Sequence, residues 1–180
     1  MYDFNTWDND CEFHSKTISG NNFSDFLELC FHNADFFSFK KATWLRSTCK
    51  ELENELEPFL VKEICTQKWF GYGGFLDEPS EDSIYIDVYL YNADMRAKDI
   101  ILKHCDDIFL QKFHNGVLEH GFQTLEDLCF LSNGEIFVGT VSHGCILSAY
   151  PQNKEFETSI MKFGDWNYIE ANPISIKKYI

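Results

Sequence analysis

The longest legible pattern of apolar and polar positions in this chain lies between Leu125 and Pro151. Leu128 to Leu131 is an apolar run, Ser132-Asn133-Gly134 supplies a turn that needs left-handed backbone, and Ile136 to Val141 resumes an extended, β-branched pattern. A second break at Ser142-His143-Gly144 precedes Cys145 to Tyr150, and Pro151 closes the run by removing a donor and fixing φ. The pattern predicts three sequential antiparallel strands, a C-terminal hairpin or meander.

Upstream, Phe23, Phe26, Leu27, Cys30 and Phe31 follow helical spacing behind Asn22 or Ser24 as a cap, and Phe36, Phe37 and Phe39 suggest a strand. Leu45, Cys49, Leu52 and Leu56 form the apolar stripe of a second helix, with Glu51, Glu53, Glu55 and Glu57 on its other faces and Pro58 at its stop. Phe59 to Phe70 is rich in β-formers, and Gly71 to Gly74 interrupts it. From Ile84 to Tyr91 the period is two, with Ile84, Ile86, Val88 and Leu90 on one face and Tyr85, Asp87, Tyr89 and Tyr91 on the other. Asn92 then caps a helix in which Ala97, Ile100, Ile101, Cys105, Ile108 and Phe109 recur at helical spacing.

The order strand, helix, strand, strand, helix, three strands predicts an α+β fold. Its sheet is largely antiparallel with helices on one face, and a ferredoxin-like core with an added hairpin is one specific form of it. Residues 1–35 read as an acidic N-terminal extension carrying a short helix, 36–151 as the main α+β domain, and 152–180 as a tail packing on that domain. The tail is expected to contain a helix near Lys154 to Phe163 and to turn Trp166 and Tyr168 back onto the domain.

Eighteen Phe residues assign much of the core to aromatic packing. No basic, apolar leader occupies Met1 to Gly20, and no run approaches the roughly 18 apolar residues of a spanning helix, so a soluble, cytoplasmic protein is expected. The seven Cys residues are odd in number, widely spaced and never in a CxxC pair, which suits reduced, buried thiols.

The formal net charge is −14, and the excess acid is concentrated in residues 1–35 and 70–135. Such a surface repels phosphate backbones and argues against a nucleic-acid partner. It attracts a basic protein, raising association rate more than affinity.

Candidate chemistry is sparse. Cys145 and His143 lie two apart, and on an extended strand they would share a face, so a thiol hydrolase or transferase is the enzymatic alternative. His104, His114 and His120 with Asp106 or Asp107 could assemble a metal site, but no ligand spacing fixes two of them on one face. His104 and Asp107 read as an ordinary helical side-chain pair. Neither a dinucleotide fingerprint nor a P-loop lysine follows Gly71 to Gly74, and no cofactor is expected. The candidate docking surface combines Tyr85, Asp87 and Tyr89 with the acidic Asp77, Glu78, Glu81 and Asp82 of the preceding loop, unless the terminal segments cover the tyrosines.

Three segments carry a family resemblance: Ala34 to Lys41, Leu56 to Glu63, and Glu126 to His143, together with Trp69 at a strand end. They resemble an uncharacterised family of small acidic bacterial proteins with an FSLTR-like strand, an LxPxL junction and a PEDLCF block ending in His and an acidic residue. The chain departs from that pattern at Thr124 and Leu125, where Pro is usual, and at Gly144, where an acidic residue is common. The resemblance implies a single-domain component similar to immunity proteins that neutralise a cognate toxin. The functional expectation is therefore a non-enzymatic binding protein with a basic partner.

Overall fold

The computed structural model describes residues 1–4, 16–42, 50–72, 85–110, 113–114, 117–118 and 124–179. In chain order its elements are β1 (Tyr2–Phe4), α1 (Gly20–Asn33), β2 (Phe36–Lys41), α2 (Glu51–Leu56), β3 (Leu60–Thr66), β4 (Ile86–Asn92) and α3 (Met95–His104). There follow β5 (Phe113–His114), β6 (Val117–Leu118), β7 (Leu125–Ser132), β8 (Glu135–Val141), β9 (Ile146–Ala149), α4 (Lys154–Ile160), β10 (Trp166–Tyr168) and β11 (Ile174–Ser175).

Among the described residues, nine strands form one sheet in the order β10-β1-β9-β8-β7-β2-β4-β3, with β11 added beside β8, and every pairing is antiparallel. β5 and β6 pair separately. The β7–β8 connection places both Asn133 (φ 53) and Gly134 (φ 75) in the left-handed region, the backbone that matches the twist of a tight hairpin. No helix among the described residues is long and apolar enough to cross a membrane.

The four α-helices among the described residues bury their apolar stripes on one face. Phe23, Phe26, Leu27 and Cys30 of α1, Leu52 and Leu56 of α2, Ala97 and Ile101 of α3, and Phe156 and Ile160 of α4 join Phe37, Phe39, Tyr91 and Phe130 of the sheet in one cluster. The opposite face is covered as well: Ile64, Val88, Leu90, Cys129, Leu131 and Ile136 lie beneath Trp69, Phe70 and Ile176. The sheet thus has helices on one side and irregular chain on the other, which leaves β2, β4 and β7 buried on both faces.

This two-sided cover corrects the period-two interpretation of β4. Tyr89 and Tyr91 face the helix layer, with Tyr91 stacked on Phe37 at 5.0 Å between ring centroids. The helix-side cluster that covers them includes residues of α1 and α4 from the two terminal segments.

The helix limits also shift. α3 is capped by Asp94, whose side chain accepts from the Arg96 N–H, rather than by Asn92. It ends at His104, because Cys105 is extended and the Asp107 carboxylate accepts the Phe109 N–H at 2.7 Å, holding a turn. Ile108 and Phe109 are buried, as their spacing suggested, but in that turn and not in a helix. α1 begins at Gly20, whose N–H donates to the Asp106 carbonyl at 2.8 Å, so a tertiary contact and not a side-chain cap sets its start. Leu45 and Cys49 of the expected second helix lie outside the described residues.

The expected boundary at residue 36 does not divide the fold. β1 sits inside the sheet between β9 and β10, and α1 is part of the same core as Phe37 and Phe130. Beyond residue 152, α4 buries Phe156 and Ile160 against the helix-side cluster, Trp166 meets Phe4, and Tyr168 meets Tyr2.

Thiol exposure gives a direct check on these layers. Cys30, Cys105 and Cys129 are buried, Cys145 is half-buried and Cys65 is exposed, while Cys11 and Cys49 lie outside the described residues. Burial pushes Cys30 well above its ordinary range and Cys129 up to about 12. With a maleimide at neutral pH, peptide mapping is expected to show, among the described thiols, Cys65 and Cys145 modified in the folded chain and Cys30 and Cys129 only on unfolding. Equal labelling of Cys30 and Cys65 would mean that the helix layer does not close over the sheet.

Candidate functional site

Lys40 ends the inward pattern of β2 on the face opposite the helices. Its ammonium is buried and donates to the Glu126 carboxylate, to the Tyr72 hydroxyl at 2.9 Å, and to Asp127 at 3.5 Å. The Tyr72 hydroxyl donates in turn to Asp127 Oδ2 at 2.6 Å. Desolvation works to lower the pKa of Lys40, but the bonds to Glu126 and Tyr72 and the charge of Asp127 outweigh it, so the group is held above its ordinary value. Tyr72 is raised by burial and by its bond to Asp127.

Asp127 joins this group to the turn that follows β8. Its Oδ1 accepts the Ser142 N–H at 2.6 Å, and its own N–H donates to Ser142 Oγ at 3.1 Å. These reciprocal bonds hold Asp127 at φ 57, a left-handed conformation that short polar residues tolerate better than most. The result is a clamp between β2, β7, the 142–144 turn and the turn at Trp69 to Tyr72. Gly71 is required in the latter: at φ 76, an added Cβ would stand 2.3 Å from Val141 Cγ2.

A cleft of about 290 Å³ opens beside the clamp, lined by Lys68, Trp69, Tyr72 and residues 172–175. Trp69 and Tyr72 give it an aromatic wall, and the exposed Lys68 stands at its mouth. The ionisable groups behind Tyr72 are committed to one another: a charged lysine, a phenol kept protonated, and a carboxylate accepting at both oxygens. That arrangement fixes the position of Tyr72 and of the chain leaving it.

Cys145 and His143 do not meet as an extended strand would bring them. Ser142–Gly144 is a turn of 3-10 helix and Cys145 is left-handed at φ 48, so the alternation that would align them is broken. Cys145 packs against the helix-side cluster, whereas the His143 ring approaches Tyr72 on the other side, at 6.5 Å between centroids.

Of the expected docking residues, Asp77, Glu78, Glu81 and Asp82 lie outside the described residues. Tyr85 is 64% exposed and Asp87 is exposed. Tyr89 is not on an open face with them: it is buried, and its hydroxyl accepts from Lys41 at 2.8 Å. Among the metal candidates, His104 lies 3.1 Å from Glu55 rather than beside Asp107, and no metal-binding group of three occurs among the described residues. His120 and the side chain of His114 lie outside the description.

Lys41 also bonds Glu53 at 3.0 Å. Burial works to raise the Glu53 carboxyl, but bonds from Thr124 and Lys41 bring it below its ordinary 4.5. The unfolded chain therefore binds that proton more tightly. The stabilisation is fully present above pH 4.5 and is lost as pH falls through the lower folded value. Glu53→Gln is expected to be less stable than the native chain at neutral pH and to lose less stability on acidification from about pH 5 to about pH 3, followed by urea unfolding. Parallel pH profiles for the two proteins would refute the assignment.

Sequence reasoning missed the clamp because Lys40 alternates with Phe39 and so resembles a solvent-facing position. The available signal was the pair Glu126-Asp127 at the start of a strand expected to lie in the same sheet. No protein-family model, curated protein or solved structure matches this chain.

Proposed function

We propose that this chain is a cytoplasmic, non-enzymatic binding protein that neutralises a cognate bacterial toxin by covering a basic surface with its own acidic one. The observation that carries the proposal is the distribution of charge. The net charge is −14, and among the described residues eight of the cations are paired with the chain's own carboxylates. Lys40, Lys41, Lys98 and Lys103 are each paired with carboxylates, as are Lys16, Arg96, Lys154 and Lys177. What remains for a partner is the net excess of acid, which steers a basic protein into contact. The resemblance to small acidic immunity-like proteins points to a toxin as that partner.

A ferredoxin-like core belongs to the same proposal. The succession β2-α2-β3-β4-α3-β7 places its strands in the spatial order fourth, first, third, second, with all neighbours antiparallel, and both helices belong to the helix-side layer. That split β-α-β arrangement supports the assignment.

The test is capture from the source lysate on the tagged chain, at low and moderate salt, beside a variant with Asp77→Asn, Glu78→Gln, Glu81→Gln and Asp82→Asn. The expected result is one basic protein, toxic when expressed alone and harmless when co-expressed, whose association with the variant is about tenfold slower and less salt-dependent. Cys145→Ala is expected to leave both capture and protection unchanged. Protection lost in Cys145→Ala, or an acidic partner, would overturn the proposal.

A further inference from the structure

β3 is the last strand at its end of the sheet. It pairs with β4 on one side, and among the described residues no backbone hydrogen bond reaches its other side. At the opposite end, β10 has only three residues, so the seven residues of β3 form the longer edge. The irregularity in the β3–β4 ladder is confined to Leu60 and Lys62, and from Lys62 to Thr66 the register is continuous. The free N–H and C=O groups of that stretch are therefore spaced to accept another strand. Val61, Lys62, Glu63 and Cys65 are all exposed.

The edge is held in place from behind. Lys62 Nζ donates to the Tyr179 carbonyl at 2.5 Å, and Thr66 Oγ shares a 2.7 Å hydrogen bond with the Tyr179 hydroxyl. The first contact engages the cation of the strand. On the Tyr89 face the exposed charges of β3 and β4 are the carboxylates of Glu63 and Asp87, the latter opposite Cys65, whereas Lys62 lies on the other face and the exposed Lys68 follows the strand.

We infer that the outer edge of β3 is the docking site for an extended, lysine- or arginine-bearing segment of a partner protein, which adds to the sheet as a further strand. The inference rests on the proposed basic partner and names the contact through which it binds. Main-chain hydrogen bonds to Lys62–Thr66 supply the attachment, and cationic side chains on the added strand meet Glu63 and Asp87. A second copy of this chain is disfavoured as the occupant. Two copies would each bring a charge of −14 to the contact.

The test uses the isotope-labelled full chain and three synthetic octapeptides: alternating Lys-Val, alternating Glu-Val, and the Lys-Val peptide with N-methylated backbone. Amide exchange is followed residue by residue by NMR. With the Lys-Val peptide, exchange at alternate residues from Lys62 to Thr66 is expected to slow about tenfold, and the other two peptides are expected to leave it unchanged. Binding of the Lys-Val peptide elsewhere with β3 amides unaffected would overturn strand addition and leave the basic-partner proposal standing. Equal protection by the N-methylated peptide, no binding of the Lys-Val peptide, or protection of β3 by self-association alone would each overturn the inference.

Discussion

Lys40→Met is expected to cost about 3–5 kcal/mol of folding stability, because it leaves two buried carboxylates facing each other without their cation. Side-chain exposure is 9% for Lys40, 11% for Glu126 and 1% for Asp127, so solvent can do little to replace the ammonium. With a urea dependence of about 2 kcal/mol per molar, the unfolding midpoint should fall by roughly 2 M. The partners of Lys40 are not equivalent. Asp127 keeps two neutral donors, the Tyr72 hydroxyl and the Ser142 N–H, whereas for Glu126 the structure offers the lysine itself. The double variant Lys40→Met, Glu126→Leu should therefore be more stable than Lys40→Met alone, since it removes the stranded charge along with the cation. A loss below about 1 kcal/mol in the single variant would mean that the group is hydrated and contributes as a surface pair does.

Phe37→Ala is expected to cost a similar amount, about 3–5 kcal/mol, through a different cause. Phe37 is fully buried on β2, between β4 and β7, and its ring stacks on Tyr91, tilts against Phe31 at 5.2 Å and meets Phe39 edge-on at 5.9 Å. Removing it deletes the shared neighbour of three aromatic rings that come from two strands and a helix. The surrounding backbone belongs to paired strands and cannot collapse into the space. Phe37→Leu, which refills most of the volume, should lose less than half as much, with the native denaturant slope retained in both. If alanine and leucine cost the same, the loss would come from ring–ring geometry and not from the cavity.

These two positions also mark what was legible in the chain. The apolar identity of Phe37 and Phe39, the Asn133-Gly134 turn and the three strands around it follow from local chemistry, in which a period of two and a left-handed turn have few alternatives. The helical stripe of α3 was legible for the same reason. Its end was not, because Ile108 and Phe109 stay buried after the backbone has left the helix. Period alone could not separate a strand with one wet face from a strand covered on both. That ambiguity misplaced Tyr89 and hid Lys40, whose carboxylate partners lie 86 and 87 residues away. β1, β10 and β11 are two or three residues long and carry no periodicity to detect; only their pairing across the fold makes them strands.

The place of β1 in the sheet has a consequence for vectorial synthesis. Tyr2 pairs with Ala149 on one side and Tyr168 on the other, so β1 is synthesised long before the strands it pairs with. Until β1 docks, its neighbour β9 keeps an unpaired edge, and Phe137 is covered only once α4 has followed. The central strands can assemble early, but this end of the sheet forms only when β1 meets β9 and β10. Nascent chains halted within β9 should therefore carry β1 unpaired and the β8 edge open, a state exposed to capture by chaperones or by another copy of the chain.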